Sequence, residues 1–246
     1  MRRVNLIPMA GEGLRFKKKG YKVPKPLIEV DGQPMFVGAA NSLPDADLFI
    51  FICLESHVKR FSINKIIKFF FPKSEIIVLK KKTSGQATTC LRAANRLNNN
   101  DILTIGSCDN SMKYNKNLFE SKLKKSDLVV WTFKDKKIVK KNPNMYGYVK
   151  TDNKGNILKV DCKKKLSNCP WKDHTIIGTF SFKKAKTFIE YTKKLLKIKY
   201  KVNNEFYLDS VAEICVKSEL NVKANLVKKY YGWGTPLDLI NYINKK

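Results

Sequence analysis

The chain has 246 residues, 43% hydrophobic and 11% aromatic, enough apolar surface to exclude disorder as its overall state. Lys and Arg total 49 against 21 Asp and Glu, a formal charge of +28. With 14 Phe and 10 Tyr in the same chain, that excess is not a disordered basic tail.

Residues 4–9 read as a short buried strand running into Ala10-Gly11-Glu12-Gly13-Leu14-Arg15-Phe16. Pro24 and Pro26 hold Val23 and Lys25 extended. A turn at Asp31-Gly32 follows, then a helix over 34–42 opened by Pro34. Strands over 48–54, 75–79 and 102–105 alternate with helices over 57–70 and 85–97, the pattern of parallel βαβ units with right-handed crossovers. Ligands in such sheets bind at the carboxyl ends of the strands. Those ends here are Gly11–Gly13, residues 80–85 and residues 107–109. The second half reads as strands over 128–133, 146–150, 157–160, 175–182 and 222–227, with helices over 183–196 and 204–217 and a last one from Pro236. The expected fold is α/β: a Rossmann-like mixed, mainly parallel sheet flanked by helices, with an inserted lobe for a second substrate. It forms one domain, 1–246, made of a nucleotide half (1–125), an acceptor half (126–235) and a C-terminal helix (236–246).

Six cysteines show no Cys-x-x-Cys spacing, which argues against zinc and for reduced thiols in a cytoplasmic protein. The longest apolar stretch, 48–54, is far short of the ~20 residues of a membrane span. Residues 1–11 lack the features of a signal peptide. Only six cations are Arg, none after Arg96, whereas readers of nucleic acid favour the planar Arg fork. The charge reads as a solvated, lysine-rich surface whose field also draws in anionic small molecules.

Gly11-x-Gly13 after the first strand can turn backbone N–H groups toward phosphates, although alone it equally describes an ordinary tight turn. Arg15 and the proline-flanked Lys25 add two cations, which suits a triphosphate: one faces a leaving pyrophosphate, the other the phosphorus under attack. Asp109, just past the fourth strand, is placed to hold Mg²⁺; by itself it could be a turn residue. His57 and His174 have no partners at catalytic spacing.

The strings Ile7-Pro8-Met9-Ala10-Gly11-Glu12-Gly13-Leu14-Arg15-Phe16 and Pro24-Lys25-Pro26-Leu27-Ile28-Glu29-Val30-Asp31-Gly32-Gln33-Pro34-Met35 resemble the signature of the sugar nucleotidyltransferase family. Ser84-Gly85-Gln86-Ala87, Cys108-Asp109-Asn110, Tyr146-Gly147-Tyr148-Val149, Ser167-Asn168, the run from Ile177 to Phe182 and Gly234-Thr235-Pro236 continue the likeness in order. The resemblance implies a Mg²⁺-dependent attack of an acceptor phosphate on the α-phosphate of an NTP, with release of pyrophosphate. It implies catalytic roles for Arg15 and Lys25, and nucleotide contacts from Met9, Ala10, Gly11, Glu12, Gly13, Gly85 and Gln86. Acceptor contacts fall to Gly147, Lys163, Thr179, Asn204 and Glu205, and the metal to Asp109. Two departures matter. The family's Glu-Lys-Pro becomes Cys162-Lys163-Lys164, which loses a carboxylate that grips sugar hydroxyls. The family's second metal Asp falls on Gly232, for which Glu205 or Asp209 is a substitute, though either equally suits a solvent-facing helix position. Asn203-Asn204-Glu205-Phe206-Tyr207 with the Gly234-Thr235-Pro236 ending looks closer to cytidylyltransferases of small phosphorylated acceptors in capsule assembly, such as the phosphoglutamine branch. The expected partners are therefore CTP and a phosphorylated small molecule, without membrane or nucleic acid, and with a homodimer left open. The rivals are a sugar-1-phosphate enzyme using UTP or dTTP, a glycosyltransferase of similar topology, and a non-catalytic nucleotide- or RNA-binding module.

Overall fold

The computed structural model describes residues 1–244. The first apolar run forms β1 (Arg3–Pro8), which leaves through the glycine-rich turn into the single-turn helix α1 (Leu14–Lys17). The hairpin β2 (Glu29–Val30) and β3 (Gln33–Pro34) leads to α2 (Met35–Asn41), almost wholly apolar and buried. β4 (Leu48–Leu54), α3 (Glu55–Phe61), α4 (Ile63–Phe70), β5 (Glu75–Leu79), α5 (Gln86–Leu91) and β6 (Ile102–Ile105) complete the alternating half. Then come β7 (Asn110–Lys113), α6 (Lys116–Lys124), β8 (Leu128–Phe133), α7 (Lys136–Val139), β9 (Tyr148–Thr151), β10 (Ile157–Asp161) and β11 (His174–Phe182). The chain ends with α8 (Ala185–Lys197), α9 (Leu208–Lys217), β12 (Val222–Leu226), β13 (Lys229–Gly232) and α10 (Pro236–Ile243).

One sheet runs through both halves in the order β10-β9-β11-β6-β1-β4-β5, with β8 and then β12 continuing from β11. β6, β1, β4 and β5 are parallel, as the helical crossovers require. β11 is antiparallel to its neighbours, and it changes partner partway along. Its residues 174–175 pair with β9, and its residues 180–182 pair with β6. Between them Gly178 takes a positive φ of +84°, which an L side chain rarely adopts. This change of partner lies against Ser107, just past the carboxyl end of β6, the end at which parallel sheets bind ligands. Apolar layers cover both faces, and a smaller core of Phe16, Ile28, Met35, Trp233 and Leu239 pins the segment after the glycine-rich turn to the C-terminal segment.

Several expected elements are cut short. Ser62, at a φ of +49°, divides the expected 57–70 helix into α3 and α4. The 85–97 helix stops at Leu91, leaving a 3₁₀ turn at Ala94–Arg96. Asn203 and Asn204 both take positive φ between the mutually hydrogen-bonded Val202 and Glu205, the geometry of a tight type I′ turn. The helix expected from 204 therefore begins only at Leu208. Lys25 is not extended. It opens a 3₁₀ turn, Lys25–Leu27, closed by bonds from Leu27 N to Pro24 O (2.8 Å) and Ile28 N to Lys25 O (3.1 Å), in which Pro26 needs no N–H partner. Helix α6, capped by Asn115 accepting from Leu118 N at 3.0 Å, and the β7–β13 pair were not expected. The expected C-terminal helix ends at Ile243, and its last two expected residues, 245–246, lie outside the described ones.

All six cysteines are free thiols, and among the described residues no helix is long and apolar enough to cross a membrane. His174 accepts from or donates to Thr132 Oγ1 at 2.8 Å. Burial, then Lys134 and Lys122, push its pKa down to about 4. The folded imidazole stays neutral while the unfolded one charges below about pH 6.5, so stability should fall as pH drops from about 6.5 to about 4. Denaturant unfolding should find that pH slope flattened in His174→Asn.

Candidate active site

The site is assembled around Lys25 and Asp109. Gly13, in the left-handed region at φ +63°, brings the glycine-rich turn against the lysine stem: a Cβ on Gly13 would lie 3.2 Å from Lys25 Cβ. Above Gly11 there is open space. Lys25 Nζ donates to Asp109 Oδ2 at 2.6 Å across 84 residues of sequence, with 23% and 20% of the two side chains exposed. Burial pulls the Lys25 ammonium down, but the Asp109 charge and hydrogen bond outweigh it and raise the pKa. Burial pushes the Asp109 carboxyl up, yet Lys25, Ser107 and the backbone hold it below the ordinary range. The pair's contribution to stability is thus present through neutral pH. It is lost as pH falls through the lowered carboxyl value or rises through the raised ammonium value.

Two distant segments complete this centre. Trp233 N donates to Asp109 O at 2.8 Å, and a Cβ on Gly234 would sit 3.2 Å from Asp109 Oδ2. A Cβ on Gly178, at the strand break, would lie 3.3 Å from Ser107 Oγ. The sequence alone assigns no role to Ser107 or Gly234. The signal for Ser107 was its place two residues before Asp109. Gly234 depends on the β7–β13 pairing, which registers Gly232 opposite Asn110.

Arg15 is exposed. Its Nη1 approaches Met145 Sδ at 3.5 Å, and its charge is felt at Lys25. The Met9 side chain is buried in the core with Phe36 and Cys108, so Met9 and Ala10 can offer a nucleotide little beyond their backbone. Glu12 reaches across to Lys82 at 3.2 Å and joins the glycine-rich turn to the loop before α5. In that loop Gly85 has no room for a side chain: a Cβ would come within 2.5 Å of Phe206 N and O. Gln86 begins α5 beside it. With a φ of +136° as well, Gly85→Ala should cost about 2–4 kcal/mol from overlap and backbone strain, read as a lowered Tm.

The lobe beyond Met145 carries the remaining candidates. Lys163, at φ +57°, donates its Nζ to Met145 O and lies 5.4 Å from the Tyr207 ring centroid. Thr179 is buried, and its Oγ1 has no partner among the described residues. Asn204 and Glu205 are exposed at the type I′ turn, where Glu205 accepts from the Tyr207 hydroxyl. Asp209 and Glu205 fall in this lobe and not with Asp109: Asp209 lies against Gly147, where a Cβ would overlap its carboxylate.

Among the described residues no group of three or more His, Cys, Asp and Glu side chains is placed to hold a metal. At position 232 the space beside the glycine is taken by the Tyr230 hydroxyl, 2.9 Å from where a Cβ would be. Position 232 therefore brings no second carboxylate to Asp109. That donor set suits Mg²⁺ arriving with a triphosphate, since this ion takes one or two carboxylates and fills its octahedron with phosphate and water. A cavity of about 490 Å³ lies behind the centre, among Phe133, Ile138, Tyr146, Tyr230 and Tyr242; neither Lys25 nor Asp109 lines it.

A family model described as nucleotidyl transferase matches residues 4–245. A search of curated proteins returns no match. Among solved structures, the chain is similar to a nucleoside-diphosphate-sugar pyrophosphorylase from Vibrio cholerae RC9, with TM-score 0.80 at 19% identity over 98% of this chain and 99% of that one. It is similar to the inositol-1-phosphate CTP transferase from T. maritima, with TM-score 0.73 at 16% identity over 99% and 97%. It is also similar to a UDP-glucose pyrophosphorylase complexed with UDP-glucose, with TM-score 0.74 at 18% identity over 100% and 98%. At such identities these likenesses speak to the fold.

Proposed function

The chain belongs to the nucleotidyl transferase family, and from that premise we propose that it activates a phosphorylated small acceptor with CTP for capsule or other surface-polymer synthesis. An acceptor phosphate oxygen attacks the α-phosphorus, the α–β anhydride bond breaks, and pyrophosphate leaves. The observation that carries this reading is the 2.6 Å Lys25–Asp109 pair at the mouth of the Gly11–Gly13 turn, with Arg15 beside it. Backbone N–H groups of the turn bind the triphosphate tail, and Arg15 meets the charge that grows on pyrophosphate. Lys25 draws the two reacting phosphates together and offsets their repulsion, so that catalysis rests on in-line positioning and charge neutralisation. Asp109 would hold Mg²⁺, which when bound lends positive charge to the phosphate oxygens. The six free thiols fit a reducing, cytoplasmic setting.

The CTP preference leans on the sequence of 203–207 and on likeness to a protein described as a CTP transferase. Likeness to a UDP-glucose pyrophosphorylase favours a second reading, UTP or dTTP with a sugar 1-phosphate. The glycosyltransferase alternative would call for an Asp-x-Asp metal motif at the carboxyl end of a strand, whereas Asp45-Ala46-Asp47 precedes β4, with Asp45 paired to Lys116 and Asp47 accepting from Arg3 N. Pyrophosphate release, measured for four NTPs against phosphorylated acceptors, tests the proposal. It should be highest with CTP and a small non-hexose phosphate. Highest release with UTP or dTTP and a hexose 1-phosphate would establish the second reading, and no release in any combination would refute both.

A further inference from the structure

The far side of the centre holds a carboxylate that the reaction above does not use. Asp209 lies in the first turn of α9 and is only 7% exposed. This fold satisfies another buried carboxylate fully: Asp101 takes Arg2 Nη2 at 2.6 Å and Asn98 N at 2.7 Å. Asp209 has no such cation, for among the described residues no ion pair includes it. Its carboxylate lies on the bare Cα of Gly147 and takes hydrogen bonds from the Cys162 thiol and from its own backbone N–H. Lys163 is close enough for its charge to be felt, but its ammonium is engaged by Met145 O and the Tyr207 ring. Burial raises the carboxyl's pKa, with Lys163 opposing. An ionised carboxylate offers about four acceptor sites, and one backbone N–H and one weakly donating thiol leave part of that capacity unused. A buried acceptor left this way is costly unless something else fills it. Met145, whose carbonyl holds Lys163, is also the residue that Arg15 touches, so this group adjoins the phosphate-handling side of the cleft.

We propose that Asp209 reads the acceptor, taking a hydrogen bond from a hydroxyl or ammonium group of a small molecule whose phosphate lies toward Lys163 and Lys25. The inference rests on the transferase reading above and assigns Asp209 a substrate contact instead of a metal.

Steady-state pyrophosphate release tests it, with glycerol 3-phosphate as hydroxyl probe and O-phosphoethanolamine as ammonium probe, in wild type, Asp209→Ala and Asp209→Asn. Loss of one charge-assisted hydrogen bond should raise the acceptor KM about 10- to 100-fold in Asp209→Ala. The KM for NTP and the Mg²⁺ requirement should not move. Asn keeps a carbonyl acceptor, so Asp209→Asn should largely preserve the hydroxyl probe's KM while losing the ammonium probe's; the probe that discriminates identifies the donor. A raised Mg²⁺ requirement at unchanged acceptor KM would overturn the proposal, as would a lowered Tm with unchanged KM. If a variant does not fold, or the wild type releases no pyrophosphate, the ¹³C shift of the Asp209 carboxyl in wild-type protein decides. A shift on adding either probe supports the contact, and none with both refutes it. Wild-type inactivity would itself count against the transferase reading, separately from that result.

Discussion

Lys25→Ala is expected to lower turnover about 10²- to 10³-fold, the scale of losing one preorganised charge donor at a reacting centre. Three constraints place this ammonium: prolines on both sides, the 3₁₀ turn that Lys25 opens, and the bare face of Gly13 against its stem. A surface lysine has none of these and costs little to remove. Deleting it also leaves the Asp109 carboxylate without its counter-charge, so the variant should lose about 1–3 kcal/mol of stability at neutral pH. Activity and stability can be told apart with Lys25→Arg. That variant keeps the charge but replaces a compact ammonium with a planar fork, so it should recover most of the Tm and little of the turnover. Wild-type turnover in Lys25→Ala would remove this residue from the mechanism.

Asp109→Asn should be at least as damaging, with turnover down about 10³-fold, because a neutral amide replaces the carboxylate that pairs with Lys25. Burial was already pushing against the ionised form, and only Lys25, Ser107 and the backbone hold it charged. The diagnostic is a titration of pyrophosphate release against Mg²⁺. The variant should need far more Mg²⁺, and saturation should recover only part of the rate. Equal loss at every Mg²⁺ concentration would mean that Asp109 serves to hold Lys25 and does not meet the metal.

The legible parts of this molecule are those whose cause is local. An apolar run ending in Gly11-x-Gly13 announces β1 and its turn, and the alternation through Ile105 announces the parallel half of the sheet. Asp109 stands out because it follows a strand, and Lys25 because prolines flank it. What stayed hidden depends on distant pairing or on a single backbone angle. The β7–β13 pair brings Trp233 and Gly234 onto Asp109, and neither four-residue strand carries enough pattern to be seen alone. Ser62 divides a helix by one left-handed residue although its flanks keep helical periodicity. Asn203-Asn204 is a turn pair by composition, yet the apolar spacing that follows drew the expected helix back over it. Gly85 shows the limit from the other side. Its motif was recognised as a nucleotide contact, but its missing side chain is already required by the Phe206 backbone, so the glycine has a structural cause as well.

The account turns on which phosphate bond breaks, and isotopic labelling reads that directly. With CTP labelled separately at the α- and γ-phosphates, the wild-type chain and a phosphorylated acceptor should carry the α-label into an acceptor conjugate. The γ-label should leave entirely as pyrophosphate. A γ-label released as inorganic phosphate, or an α-label that never joins an acceptor, would contradict it.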